Sequence, residues 1–205
     1  DSRSIASNEE TLFAAINGKH HDGHNYIERM AKRGVKAFIV ERLVDIDREC
    51  SFVVVDSTIA ALQALATHHR SLYSGIVVGI TGSNGKTIGK EWAARSMPST
   101  VRSFASPKSY NSQLGVALSL LMLEGTEQVA FIEAGISEAG EMERLERMIR
   151  PEIVVFTSIG DAHSANFKSL DAKIDEKLLL AKDAKTIIYS KEYKQLSEKI
   201  RQRYA

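Results

Sequence analysis

Ile76-Val77-Val78-Gly79-Ile80-Thr81-Gly82-Ser83-Asn84-Gly85-Lys86-Thr87 is the stretch that decides the fold. Its β-branched opening shows no polar alternation, so it reads as a strand buried on both faces. The strand runs straight into a glycine loop and then a helix, the setting of a phosphate-binding loop. Glycines let successive backbone N–H groups face phosphate oxygens, and the helix N-terminus adds positive potential. Gly82, Ser83, Asn84 and Gly85 would form the cradle, Lys86 would reach the β- and γ-phosphates of ATP, and the Thr87 hydroxyl would ligate Mg2+. The strict G-x-x-x-x-G-K-[ST] spacing is missed by one place: Ile80 stands where the first glycine belongs, and the glycine is Gly79. A glycine-rich turn with a surface lysine is the plainer alternative, and it leaves the preceding strand unexplained.

Outward from this loop, apolar runs at Ile76 to Ile80, Val129 to Glu133, Ile153 to Phe156 and Thr186 to Tyr189 alternate with helical patterns. That order predicts a parallel sheet covered on both faces. The helix over Glu138 to Arg150 puts Met142, Leu145, Met148 and Ile149 on one face and stops against Pro151; another, Leu170 to Lys182, aligns Leu170, Ile174 and Leu178. Before the loop, strands at Leu12 to Ile16, Ala37 to Val40 and Phe52 to Val55 and a helix near His24 to Arg33 predict a smaller α/β unit. A helix over Thr58 to Tyr73, with Ile59, Leu62, Leu65 and Ala66 at helical spacing, would close it. The expected domains are 1–74 and 75–205.

Composition narrows the function. The 205 residues are 43% apolar and 26% charged, ordinary for a globular protein and too apolar for a disordered one. Lys plus Arg (27) nearly cancels Asp plus Glu (26), so no summed field would hold nucleic acid. No apolar run approaches the roughly 20 residues needed to span a bilayer, and the single Cys50 cannot form an internal disulfide. A cytoplasmic protein is expected. Asp1-Ser2-Arg3-Ser4 has neither an initiator Met nor a signal core, which suggests that the natural protein begins earlier.

The loop Gly79-Ile80-Thr81-Gly82-Ser83-Asn84-Gly85-Lys86-Thr87 resembles the ATP loop of the Mur ligase superfamily, including its displaced glycine. Three further segments are similar to the MurF-type branch of that family: Ser109-Tyr110-Asn111-Ser112-Gln113-Leu114-Gly115, Phe131-Ile132-Glu133-Ala134-Gly135-Ile136-Ser137-Glu138-Ala139-Gly140-Glu141-Met142, and Thr157-Ser158-Ile159-Gly160-Asp161-Ala162-His163. In the first, Ser112 replaces a second asparagine, so only Asn111 carries over. In the last, Ser158 replaces the usual asparagine and Ala165 an acidic residue. Asp1-Ser2-Arg3 and Asp22-Gly23-His24 resemble motifs of the uridine-binding first domain in the MurE and MurF branches. Details are most similar to versions fused to an alanine racemase, of which no portion is in this sequence.

The resemblance implies an α/β architecture: a small N-terminal α/β uridine-binding domain, then a P-loop parallel-sheet ATPase domain. It also implies an ATP- and Mg2+-dependent acid–D-amino-acid ligase joining D-alanyl-D-alanine to UDP-MurNAc-tripeptide in peptidoglycan precursor synthesis. Lys86 and Thr87 would serve the nucleotide, Thr87 and Glu133 a Mg2+, and His163 a second Mg2+. Lys177 would carry a carbamate, and Ser2, Arg3 and Asn111 would touch substrate. Taken alone, Glu133 is equally a capping or salt-bridged carboxylate, His163 a packed loop histidine, and Lys177 a solvated helix lysine with Glu176 an ordinary neighbour about 100° around the helix. The family's third domain closes over ATP, so the alternative is a piece that binds nucleotide or UDP-substrate without turnover. MurE is the nearest competing branch. His20-His21-Asp22-Gly23-His24 invites a metal reading but lacks the spacing of a known zinc motif.

Overall fold

The computed structural model describes residues 10–18, 21–46, 49–160 and 166–204. The chain divides into two compact units, residues 1–62 and 63–205. The division falls inside one helix, twelve residues before the boundary expected near Ser74, because the second half of that helix bonds to the larger unit.

The smaller unit is a three-stranded parallel sheet. Its strands are β1 (Leu12–Ala14), β2 (Ala37–Val40) and β3 (Ser51–Val54), in that order, with α1 (Ile27–Lys32) in the first crossover. Phe13, Phe38 and Phe52 stand in register across the sheet, Phe38 packing edge-on to Phe13 and stacked on Phe52 at 5.5 Å. The expected helix over His24 to Arg33 splits into a 3-10 turn at Gly23–Tyr26 and the shorter α1. Asp22 causes the turn: its carboxylate accepts from the His24 backbone N–H (2.9 Å) and from His24 Nδ1 (2.6 Å). Gly23 is required because a Cβ there would lie 2.6 Å from the Ile16 nitrogen.

α2 (Thr58–Leu72) starts where Glu41 Oε1 accepts from the Thr58 N–H (2.9 Å) and hydroxyl (3.0 Å). Of its expected stripe, Leu62 and Ala66 are buried while Leu65 is exposed.

The larger unit is a five-stranded parallel sheet. β4 (Ile76–Thr81) is central, flanked by β6 (Val129–Glu133) and β7 (Ile153–Phe156), with β5 (Ser103–Ala105) and β8 (Thr186–Ile188) at the edges. The strands expected at 129–133 and 153–156 appear with those bounds; β5, only Ser-Phe-Ala, is too short to carry a pattern. Helices α3 (Lys86–Arg95), α4 (Gln113–Leu120), α5 (Glu141–Ile149), α6 (Leu170–Leu178) and α7 (Lys194–Tyr204) complete the unit. Met142, Leu145, Met148 and Ile149 are all buried, so the stripe read from α5 is its core face. That helix begins three residues later than expected, since Gly140 at φ 83° is left-handed and cannot open it as a helical residue.

Arg70, near the end of α2, ties this unit together. It is 6% exposed. Nε donates to the Ile149 carbonyl (2.8 Å), Nη1 to Tyr73 (3.2 Å), and Nη2 to Arg150 (3.0 Å) and to Glu152 (3.1 Å). Glu152 in turn accepts from the Val77 N–H at 2.7 Å, so one guanidinium connects the ends of α2 and α5 to the start of β4. Removing one partner of such a set leaves the others buried and unsatisfied. Arg70→Ala should therefore lower stability by about 3 kcal/mol, read as a shifted denaturation midpoint with little change in slope. A midpoint equal to wild type would show that water replaces the guanidinium.

Candidate functional site

Among the described residues, the candidate site side chains of the larger unit gather at the carboxyl ends of β4, β6 and β7. β4 lies between β6 and β7 and the chain order reverses there, which opens a crevice at that edge. The phosphate loop fills it. Gly82 takes φ 148°, and a Cβ on it would collide with Thr157 Oγ1 at 2.1 Å; Gly85 takes φ 80° and caps α3. Both need glycine. Gly79, the displaced glycine, serves packing instead. It sits inside β4, where a Cβ would press on Pro151 (3.1 Å) and Leu180 (3.3 Å). Ile80 faces the opposite layer with Val78 and Phe131 and is 2% exposed. The irregular spacing is therefore a requirement of the strand, separate from the loop that follows.

The loop is laced to the end of β7. Ser83 N–H donates to the Ser158 carbonyl (2.6 Å), the Thr157 hydroxyl to the Asn84 carbonyl (2.7 Å), and Ser83 Oγ to the Gly160 carbonyl (2.9 Å). Ser158, the departure from asparagine, still contributes: its hydroxyl accepts from the Asn84 N–H at 3.0 Å.

Glu133 ends β6 opposite Ile80 in the parallel register and is 1% exposed. Its Oε2 accepts from the Thr87 hydroxyl (2.8 Å), its Oε1 from Asn111 Nδ2 (2.7 Å), and its own N–H donates to Ser106 Oγ (3.3 Å). The structure thus brings Thr87, Glu133 and Asn111 into contact from three elements. None of the contacts is a cap or a salt bridge, the two roles open to Glu133 on sequence alone.

Lys86 Nζ donates to the carbonyls of Gly82 (3.1 Å) and Ser83 (3.3 Å), and burial holds its ammonium below the ordinary lysine range, with Glu133 opposing. Lys177 is 2% exposed, which removes the solvated-lysine reading. Its Nζ reaches the Gly82 carbonyl at 3.1 Å, and burial, then the charges of Lys86 and Lys173, bring its pKa down to about 7. Lys173, one turn earlier, donates to the Gly160 carbonyl at 2.6 Å. Two lysine ammonium groups, Lys86 and Lys177, therefore meet on the loop, with Lys173 bonded beside them at the end of β7. A cleft of about 180 Å³ opens between Lys86 and Lys177 and Asn111, Ser112, Ser137 and Glu141.

Glu176 is more than the ordinary neighbour expected: its Oε1 accepts from the Gly140 (2.8 Å) and Met142 (3.0 Å) N–H groups and caps α5. Sequence reasoning misses Lys90, Ser106, Lys173 and Glu141. Only the i, i+4 spacing of Lys86 with Lys90 and of Lys173 with Lys177 hints at shared faces. His163, Ser2, Arg3 and Asp1 lie outside the described residues.

In the smaller unit, His24 Nε2 accepts from the Glu41 N–H (3.0 Å) while Nδ1 bonds Asp22, so both ring nitrogens are committed. Arg42 also donates to Asp22, and with the His24 contacts it holds that carboxylate well below its usual range. Asp-Gly-His is thus a structural brace here. Among the described residues no group of three or more His, Cys, Asp or Glu is placed to hold a metal.

Comparison with known proteins agrees with this geometry. Residues 80–204 match the Mur ligase middle domain, and residues 1–70 match the Mur ligase family, catalytic domain. UDP-N-acetylmuramoyl-tripeptide--D-alanyl-D-alanine ligase of Borreliella burgdorferi is 34% identical over 86% of this chain and 40% of its own length. The ligase of the same name from Bacillus subtilis is 31% identical over 87% of this chain and 39% of its length. Among solved structures, MurF from Thermotoga maritima in complex with ADP has a TM-score of 0.84 at 28% identity, covering 97% of this chain and 48% of that one. MurF from Acinetobacter baumannii also gives 0.84, at 26% identity over 97% of this chain and 45% of that one. The chain spans about 40% of the length of the curated relatives it matches. With the middle-domain match covering more than half of its residues, on a phosphate loop in its expected setting, the chain belongs to the Mur ligase family.

Proposed function

We propose that this chain carries the nucleotide-binding part of an ATP-dependent ligase that joins D-alanyl-D-alanine to UDP-MurNAc-tripeptide, as the names of its relatives say of them. The contact of Thr87 and Asn111 with the buried Glu133, beside the phosphate loop, carries this reading. In it, residues 1–74 bind the UDP-substrate and residues 75–205 bind ATP. A cytoplasmic location goes with it; no helix among the described residues is long and apolar enough to cross a membrane.

Making an amide from a carboxylate and an amine requires an activated carboxylate. Transfer of the γ-phosphoryl group of ATP gives an acyl phosphate, and the amine then attacks the acyl carbon and expels phosphate. The protein contributes positioning and charge compensation, with no covalent protein nucleophile. Lys86 would leave the loop carbonyls for the phosphates, and the loop N–H groups would orient them. The Thr87 hydroxyl and the Glu133 carboxylate are hard oxygen donors that suit Mg2+, and among the described residues the Glu133 carboxylate accepts from the neutral Thr87 and Asn111 side chains. When bound, Mg2+ would offset charge on the phosphoryl oxygens. His163 is assigned to a second Mg2+ by resemblance alone, and Asn111 to substrate.

Lys177 fits a carbamate. Only a neutral amine adds CO2, giving N–COO⁻ and a released proton, and the buried Lys177 is largely neutral above pH about 7. The product would be an anion facing Lys86 and Lys173 in place of a neutral amine.

Two outcomes test this reading in the full-length protein. Lys86→Ala should cut phosphate release that depends on both substrates by roughly a thousandfold, since phosphate charge then goes uncompensated. Near-normal turnover would refute the phosphate-loop assignment, and nucleotide binding by the unaltered protein with neither phosphate release nor amide formation would favour a nucleotide-binding role alone.

For Lys177, the sign follows from its depressed pKa. Below pH about 7 the amine is protonated and cannot add CO2, so carbamate should be lost as pH falls through that value and gained as it rises. NMR of protein equilibrated with isotopically labelled bicarbonate should show a carbamate signal with that pH dependence. The signal should vanish in Lys177→Ala, whose lost activity acetate should partly restore. Lys191→Ala, an exposed site, should behave as wild type; Glu176→Ala is unsuitable as the control because it uncaps α5.

A further inference from the structure

Lys90 is a lysine with no exposed surface, on α3 one turn beyond Lys86 and Thr87. A charge in such a place is costly unless its donors are satisfied. Its ammonium donates to the carbonyl oxygens of Ser106 and of Lys108 (2.6 Å) and lies 3.2 Å from Glu91 Oε1. The two carbonyls belong to the segment between β5 and α4. That segment is not relaxed: Lys108 sits at φ 50°, a left-handed conformation that side chains seldom adopt.

The same segment reaches Glu133 twice. Ser106, fully buried, accepts the Glu133 N–H on its hydroxyl, and Asn111 donates to Glu133 Oε1. Thr87, on the helix that carries Lys90, donates to Glu133 Oε2. The ammonium therefore closes a ring of contacts running from α3 through the 106–111 segment to Glu133 and back to α3. Without it, the segment would keep its Ser106 N–H bond to the Phe131 carbonyl, and its direct tie to α3 would shrink to the long Thr87 Oγ1 to Ser109 Oγ contact at 3.5 Å.

We infer that Lys90 is a positioning residue for the metal end of the nucleotide site: it fixes the spacing of Glu133 from Thr87 and Asn111 by pinning the 106–108 carbonyls to α3. The inference rests on the reading of Thr87 and Glu133 as oxygen donors to the divalent ion. Groups that orient a metal's own ligands are worth about 10- to 100-fold in metal affinity.

Lys90→Met keeps the length and apolar stem of the side chain and removes only the ammonium. In the full-length protein we expect binding of Mn2+ with ADP, read from the EPR signal of free Mn2+, to weaken by about tenfold. The half-saturating Mg2+ concentration for ligation should rise to match, while KM for the UDP-substrate stays put. A purely structural lysine would lower the thermal midpoint and leave Mn2+–ADP affinity unchanged in the folded protein, which would overturn the inference. Should Lys90→Met not fold, Ser106→Ala keeps the ammonium and both carbonyls and removes the hydroxyl that meets Glu133; unchanged Mn2+–ADP affinity there would equally overturn it. Glu133→Gln and Thr87→Val separate the two claims. If they too leave Mn2+–ADP affinity unchanged, the metal reading itself has failed, whatever Lys90 does.

Discussion

One buried carboxylate organises the working edge of this protein. Glu133 stands at the end of a central strand at 1% exposure, where a carboxylate without hydrogen-bond donors would be prohibitively costly. Its partners are drawn from elements far apart in sequence: Thr87 from the helix after the phosphate loop and Asn111 from the approach to α4. The parallel register that sets Glu133 opposite Ile80 puts it within reach of that helix. A shift of one residue would turn the carboxylate to the other face of the sheet and dissolve the cluster.

The surrounding charges lean the other way. Lys86 and Lys177 donate to carbonyls of the phosphate loop, and Lys173 donates to one at the end of β7. Burial and mutual repulsion lower the affinity of Lys177 for its proton, and burial that of Lys86. For Lys86 and Lys177 an entering anion would offset that cost, which is the electrostatic logic of a phosphate site. It also explains why Lys86 lies folded over the loop: carbonyls are the acceptors within reach.

Much of the fold can be read in the chain. β6 and β7 are legible because both faces of a central parallel strand are buried, leaving uninterrupted apolar runs. The core face of α5 is legible from its spacing. β5 is not, since three residues carry no period, and the helix near His24 differs from its pattern because the side chain of Asp22 folds back on the His24 N–H and tightens the first turn. The start of α5 shifts for a similar reason: the segment before it is held by Glu141 and Glu176 side chains that no periodicity registers.

The sequence by itself determined the glycine loop with Lys86 and Thr87 and the order of strands and helices around it; Asn111, Glu133 and Lys177 became candidates only through the resemblance to the family. The loop and the element order are properties of contiguous segments, where backbone conformation and local spacing carry the information. Only the tertiary structure decided which polar groups are buried. Lys177 reads as easily as a solvated helix lysine, Glu176 as its bland neighbour, and Lys90 as one more charge on a helix. Lys177 is buried under the sheet edge and Lys90 under a strained loop, whereas Glu176 stays half-buried and matters because it caps the neighbouring helix. Burial is set by elements that meet across dozens of residues, and it is burial that turns an ordinary charge into a chemical device.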